Sequence, residues 1–178
     1  MRMTWRFLFV VLIALVVLWL FRAAAFRSLI HYTIIRQRPP VPVLALTTAE
    51  PDGLDQAIGV ALDSTAATLH FSSGNVSHDP AVLVQGGPAN CIGYAALCTA
   101  LLKGQLEAAG LGERYTLEAV VARLYLGGQD LHALFTSPFW KDHDVVRITD
   151  RTDNKVILLD PTLYDHVGIG RVSIRSKD

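Results

Sequence analysis

The 178-residue chain is short of cysteine and of any surplus of charge, and each shortage removes a class of function. It carries two cysteines, Cys91 and Cys98. If both lie on one helix they stand ~10 Å apart, beyond the reach of a disulfide, so they leave the redox compartment open. Sixteen basic side chains balance sixteen acidic ones, which leaves no electrostatic footprint for nucleic acid. No calcium-loop spacing is present, so calcium dependence is not implied. No second Cys or His is placed to complete a closed tetrahedral zinc site around Cys91, His143 and Asp160. No internal repeat or low-complexity block appears, and the length fits one domain.

What the chain does have is an unbroken apolar run, Phe7 to Phe21, between Arg6 and Arg22. It rises ~22 Å as a helix, short of a ~30 Å hydrocarbon core. Met3 to Trp5 and Ala23 to Phe26 supply the missing length, with Arg6 and Arg22 snorkelling and Trp5 and Trp19 at interfaces. Residues 1–28 therefore read as a transmembrane anchor. A cleaved signal peptide is the rival, with Ala23-Ala24-Ala25 as its cleavage site, but Arg22 and the bulky Trp19-Leu20-Phe21 oppose cleavage. The basic residues on both sides leave the membrane face of the following domain open. Residues 29–50, with Arg36-Gln37-Arg38-Pro39-Pro40-Val41-Pro42, read as an extended linker. Residues 51–178 read as the folded domain.

Within that domain Leu54 to Ala66 carries a helical apolar stripe, with Asp52 as its cap. Thr68 to Ser72 reads as a short strand. Asn90 caps a helix from Cys91 to Ala109, and Gly110 ends it. Thr116 to Leu126 is strand-like, Phe135 to Trp140 is loop, and Asp144 to Ile148 and Lys155 to Leu159 form a hairpin. A helix followed by an antiparallel sheet predicts an α+β fold.

Cys91 ends the polar run Gln85-Gly86-Gly87-Pro88-Ala89-Asn90 and opens the helix. Unpaired N–H groups and the positive end of the helix dipole favour a thiolate there, the form that attacks carbonyl carbon. Cys98, inside the same apolar helix, reads as a small buried hydrophobe. A hairpin turn centred between Arg151 and Thr152 sets His143 opposite Asp160, Val145 opposite Leu158 and Arg147 opposite Val156. Opposed residues share a face, so Asp160 can orient His143 while the ring presents its other nitrogen to a thiol. A one-residue slip would send them to opposite faces.

The segments Asn90-Cys91-Ile92-Gly93-Tyr94-Ala95-Ala96-Leu97, Ala108-Ala109-Gly110-Leu111, His143-Asp144-Val145-Val146 and Leu159-Asp160-Pro161-Thr162 resemble the transglutaminase-like superfamily in order and spacing. The resemblance implies a papain-like core, with Cys91 as nucleophile, His143 as base and then acid, and Asp160 fixing the histidine tautomer. Gln85, six residues before Cys91, matches the spacing of the oxyanion glutamine of papain-like proteases. Asp144-Val145 departs from the aromatic that many members carry after the histidine. A carboxylate there favours imidazolium if it points at the ring.

The expected activity is that of a membrane-anchored, single-pass cysteine hydrolase, protease or acyltransferase acting on an amide or ester through an acyl-thioester. The alternative is a catalytically idle module of the same type that binds peptides or scaffolds a membrane complex. A zinc site ranks last. Expected partners are membrane lipid, through the N-terminal helix, and a peptide or protein substrate. No nucleic acid, cofactor or metal is expected. By position alone, the segment from Gly127 to Trp140 is expected to wall the cleft.

Overall fold

The computed structural model describes residues 2–44, 51–136 and 141–175. The apolar start forms helix α1 (Arg2–Leu29), within which Phe7–Leu29 is long and apolar enough to cross a membrane. From Phe7 to Phe21 every side chain is exposed, so this stretch packs against no described element. Its end behaves differently: Arg22, Ala23, Ala25 and Phe26 are partly buried against the rest of the protein. Arg22 is turned toward the body of the protein. Its guanidinium stacks on the Trp19 ring, and its Nε donates to the Val167 carbonyl at 3.1 Å. It clamps the helix end to the body.

The linker expected over residues 29–50 is corrected by strand β1 (Ile30–Gln37). This strand pairs antiparallel with β4 (Tyr115–Leu126) and parallel with β8 (Arg171–Ile174). The physical reason is burial: Tyr32 and Ile34 pack into a hydrophobic core that an extended tether would leave open. The proline-containing stretch after it is also fastened. Arg38 N–H donates to the Ala119 carbonyl, Leu44 N–H to that of Ala100, and Lys103 Nζ to that of Val41.

Strands β6 (His143–Asp150) and β7 (Val156–Leu159) complete the ring, whose order is β1-β8-β7-β6-β4 and back to β1. The result is a closed five-stranded barrel, which leaves no long unpaired edge. A two-residue strand, β5 (Gln129–Asp130), adds to β4. Helices α2 (Leu54–Thr68) and α4 (Cys91–Ala108) pack on the outside, giving the mixed α+β architecture that the sequence implied. The remaining elements are β2 (Leu69–Phe71), α3 (Pro80–Leu83), β3 (Gly87–Ala89), α5 (Leu131–Leu134) and α6 (Pro161–Val167).

Two apolar cores result. One lies between α2, α4 and the outer barrel wall and includes Leu97, Leu101, Leu117, Val146, Ile148 and Leu159. The other fills the barrel and includes Tyr32, Val120, Ala122, Val145 and Leu158. This explains β4, whose burial alternates at first and then runs unbroken from Ala119 to Ala122, where both faces are covered.

The cap at the start of α4 is as expected: Asn90 Oδ1 accepts from the N–H groups of Ile92 and Gly93. The cap of α2 is not; Gly53 occupies the cap position and makes no side-chain bond. The hairpin pairing is displaced by two residues from expectation, with Arg147 opposite Leu158 rather than Val156. The cause is a longer loop. Asp150 N–H still bonds the Lys155 carbonyl, and Asn154 takes the left-handed conformation that closes the turn. A shift of two preserves the face on which every side chain points. Residues 127–136 form a glycine turn, β5 and α5, while 137–140, including Trp140, lie outside the described residues.

Candidate active site

Three elements converge at one end of the barrel. Helix α4 begins there with Cys91, β6 begins there with His143, and β7 runs out there into Asp160, which caps α6. His143 and Asp144 occupy the first two positions of β6 and so point to opposite faces. His143 turns inward, toward Tyr32 and Asp160. Asp144 turns to the α4 side.

His143 Nε2 lies 2.8 Å from Asp160 Oδ2, and the Tyr32 hydroxyl donates to that same oxygen at 2.8 Å. Asp160 Oδ1 accepts from the Leu163 N–H at 2.8 Å, fixing the carboxylate as the N-cap of α6. Asp160 is 1 % exposed and His143 7 %. Burial alone would raise the Asp160 pKa. The His143 charge and hydrogen bond, with the Leu163 and Tyr32 donors, outweigh it and hold the group below its usual range. Burial likewise pulls His143 down, but the Asp160 carboxylate and the neighbouring Cys91 prevail and raise it to about 10. The ring is therefore an imidazolium at neutral pH. Because Nε2 is committed to Asp160, Nδ1 is the nitrogen available to Cys91.

Cys91 is partly exposed, and its Sγ lies 3.9 Å from Asp144 Oδ2. Asp144 does not point at the histidine ring, so the condition under which it would favour imidazolium is not met. It is clamped by Arg38, whose Nε and terminal nitrogen reach its two carboxylate oxygens at 2.6 and 3.0 Å. The Asp144 hydrogen bond, then its charge and that of Cys91, raise the Arg38 pKa against the opposing effect of burial. Asn90 takes the N–H groups of Ile92 and Gly93, and neither bond uses the N–H of Cys91 itself. Helix α4 enters this corner closely. A Cβ on Gly93 would stand 3.0 Å from Ala89 Cβ and 3.2 Å from Leu83 Cδ1.

Thus Cys91, His143 and Asp160 come together, while Gln85 does not join them. It is exposed in the turn between α3 and β3, and its side chain makes no hydrogen bond among the described residues. Cys98 is fully buried in α4, where burial pushes its thiol up to about 12. Among the described residues no group of three or more His, Cys, Asp or Glu could hold a metal. Sequence reasoning missed Tyr32 and Arg38, the first because β1 was taken for linker. The alternation of Ile30, Tyr32 and Ile34 with His31 and Thr33 was the available signal.

No family model, curated protein or solved structure matches the chain.

Proposed function

We propose that the chain is a membrane-anchored cysteine hydrolase or acyltransferase of the transglutaminase-like type, acting on an amide or ester. One observation carries the reading: a helix-start thiol faces an imidazole whose far nitrogen is held by a buried, hydrogen-bonded carboxylate. In the first half-reaction the Cys91 thiolate attacks the carbonyl carbon, forming a C–S bond and moving the carbonyl electron pair onto oxygen. The Cys91 N–H is placed to receive that charge. Collapse breaks the bond to the leaving amine or alcohol, which takes the proton from His143 Nδ1. In the second half the neutral ring removes a proton from water or an acceptor amine. That nucleophile attacks the thioester and expels the thiolate.

Membrane attachment is the second part of the proposal. It rests on the exposed apolar sleeve of α1 together with the docking of its last turns on β1, β8 and α6. Ser173 Oγ bonds the Arg27 carbonyl, and Gly127 N–H bonds that of Leu29. A segment removed after folding has no need of such fastening.

A second reading, an idle module that binds peptides, is favoured by one contact. The Cys91 Sγ lies 3.9 Å from Asp144 Oδ2, a contact that turns the thiol toward a carboxylate rather than toward a substrate. Iodoacetamide labelling of the full-length protein in detergent, with Cys91→Ala and His143→Ala, separates the two. The hydrolase reading requires labelling at Cys91 that outpaces a free thiol of pKa ~8.5 at neutral pH and slows when His143 is lost. Labelling no faster than a free thiol and indifferent to His143 sinks it. Intact mass of the membrane-purified protein tests the anchor, which fails if residues before Phe26 are missing.

A further inference from the structure

A cavity of about 350 Å³ lies beneath the end of α1, on the barrel side of His143. Phe26, Leu124, Leu163 and Val167 form its apolar walls, and the His143–Asp160 pair forms part of its inner surface. Cys91 does not line it, so the imidazole separates this space from the thiol. The size falls within the ~300–1,000 Å³ range of small-molecule sites. Nothing in the catalytic reading requires such a space.

Three observations say what fills it. First, one wall residue, Phe26, belongs to the apolar helix α1. A hydrocarbon core takes ~20 residues, which counted from Phe7 ends at about Phe26. The cavity therefore opens where α1 leaves the apolar layer. Second, its rim is apolar: Val167, one of its lining residues, is exposed. Third, one polar group in the lining lacks a partner. The Thr162 hydroxyl oxygen is buried and makes no hydrogen bond, although Thr162 is only 2 % exposed. An unsatisfied hydroxyl is costly in an apolar wall unless a ligand oxygen meets it.

We infer that this cavity binds one alkyl chain of a bilayer lipid, with a carbonyl oxygen of that lipid accepting from Thr162 Oγ1. The inference rests on the anchor reading of α1 and not on Cys91 chemistry. The chain enters sideways from the membrane, covers the His143–Asp160 pair and keeps water from it. The ionisable groups in the lining are few: His143 and Asp160 are spent on each other and on Tyr32, and His166 has its Nδ1 2.9 Å from the Thr162 carbonyl, so the lining is mainly suited to an apolar chain.

The test uses the full-length protein in nanodiscs. In separate preparations the probe is phosphatidylcholine carrying a photoactivatable diazirine acyl chain, or palmitic acid carrying the same group. Cross-linked peptides are mapped by mass spectrometry, and the two arms distinguish a phospholipid from a free fatty acid as the source. Adducts on cavity residues are expected in at least one arm, with labelling of the Phe7–Phe21 sleeve as internal control. Leu124→Trp fills the space and lowers cavity labelling about tenfold relative to the sleeve, roughly the loss of two buried methylenes. Thr162→Val keeps the shape, leaves the lipid-free protein at least as stable, and weakens labelling about fivefold. Cys91→Ser keeps the labelling, so this inference and the hydrolase reading can fail separately. Adducts confined to the sleeve in both arms overturn the inference, as does cavity labelling indifferent to both Leu124→Trp and Thr162→Val.

Discussion

Replacing Asp160 by Asn tests the site most sharply, because one carboxylate serves three donors. Its Oδ2 accepts from His143 Nε2 and the Tyr32 hydroxyl, and its Oδ1 accepts from the Leu163 N–H. An asparagine keeps the shape but has only one acceptor end. If its oxygen faces His143 and Tyr32, its NH₂ meets the Leu163 N–H, and the cap of α6 is lost at a cost of about 1 kcal/mol. If its oxygen faces Leu163, its NH₂ meets His143 Nε2, which must then give up its proton. The second orientation forfeits a bond to a charged group, worth about 1.5–3 kcal/mol, so the first is favoured.

Either way the compensating charge is gone. Burial, which already pulls the His143 pKa down, is then opposed by Cys91 alone, and the ring falls well below about 10. Imidazole ¹⁵N chemical shifts across a pH titration read this directly. The wild-type ring stays protonated past neutrality, and the Asp160→Asn ring is neutral at about pH 7. Turnover falls by about 10²–10⁴, the usual worth of a positioned acid–base group. Urea denaturation shows a loss of about 1–3 kcal/mol. An Asp160→Asn ring that is still protonated above about pH 8, or a wild-type ring already neutral at about pH 7, refutes the electrostatic account.

Other outcomes follow from the same geometry. The His143 pKa is raised on folding, so its contribution to stability is complete below about 6.5 and disappears as pH rises through about 10. Urea midpoints should therefore decline over that window in wild type and stay flat in His143→Gln. Arg38→Met leaves the buried Asp144 carboxylate uncompensated and should cost about 3–5 kcal/mol, whereas Arg38→Met combined with Asp144→Leu recovers most of it. Thermal unfolding of the single and double variants decides this. Gly93→Ala places a methyl group 3.0 Å from Ala89 Cβ and should cost about 1–3 kcal/mol by urea titration; a neutral result means that the α4–β3 contact yields. Gln85→Ala should lower turnover about 10²-fold if that side chain serves as an oxyanion donor, and leave it unchanged if it stays where it is.

The site was more legible in the sequence than the fold, and the hairpin shows why. Its expected register was off by two residues because the Arg151–Asn154 loop is longer than a two-residue turn. His143 and Asp160 met anyway, as diagonal rather than direct neighbours, since an even displacement leaves side chains on the same face. The start of α4 was legible for a different reason: Asn90 caps through bonds made within three residues, so no distant contact had to be known. Barrel closure had no such local signature. It depends on β1 lying parallel to β8, with His31 opposite Ser173 across most of the chain. A short apolar strand next to a membrane helix and a proline run reads as tether until its partner is known.

That hidden strand changes the chemistry as well as the topology. Tyr32 on β1 gives Asp160 Oδ2 a second donor beside His143, and Arg38 just beyond β1 clamps the Asp144 carboxylate beside Cys91. Both supports come from the segment that ties α1 to the barrel. The anchor is thus continuous with the scaffold of the site, and detaching it removes more than membrane affinity. Deleting residues 1–37 should bring Cys91 labelling down to the rate of a free thiol and abolish cooperative unfolding together, because the barrel loses a strand that bridges β4 and β8. Deleting only residues 1–21 should preserve both, since the side chains from Phe7 to Phe21 are exposed and the Trp19 ring meets only Arg22 of the same helix. If the longer deletion unfolds cooperatively and labels like the full chain, β1 is dispensable and its residues do not support the triad.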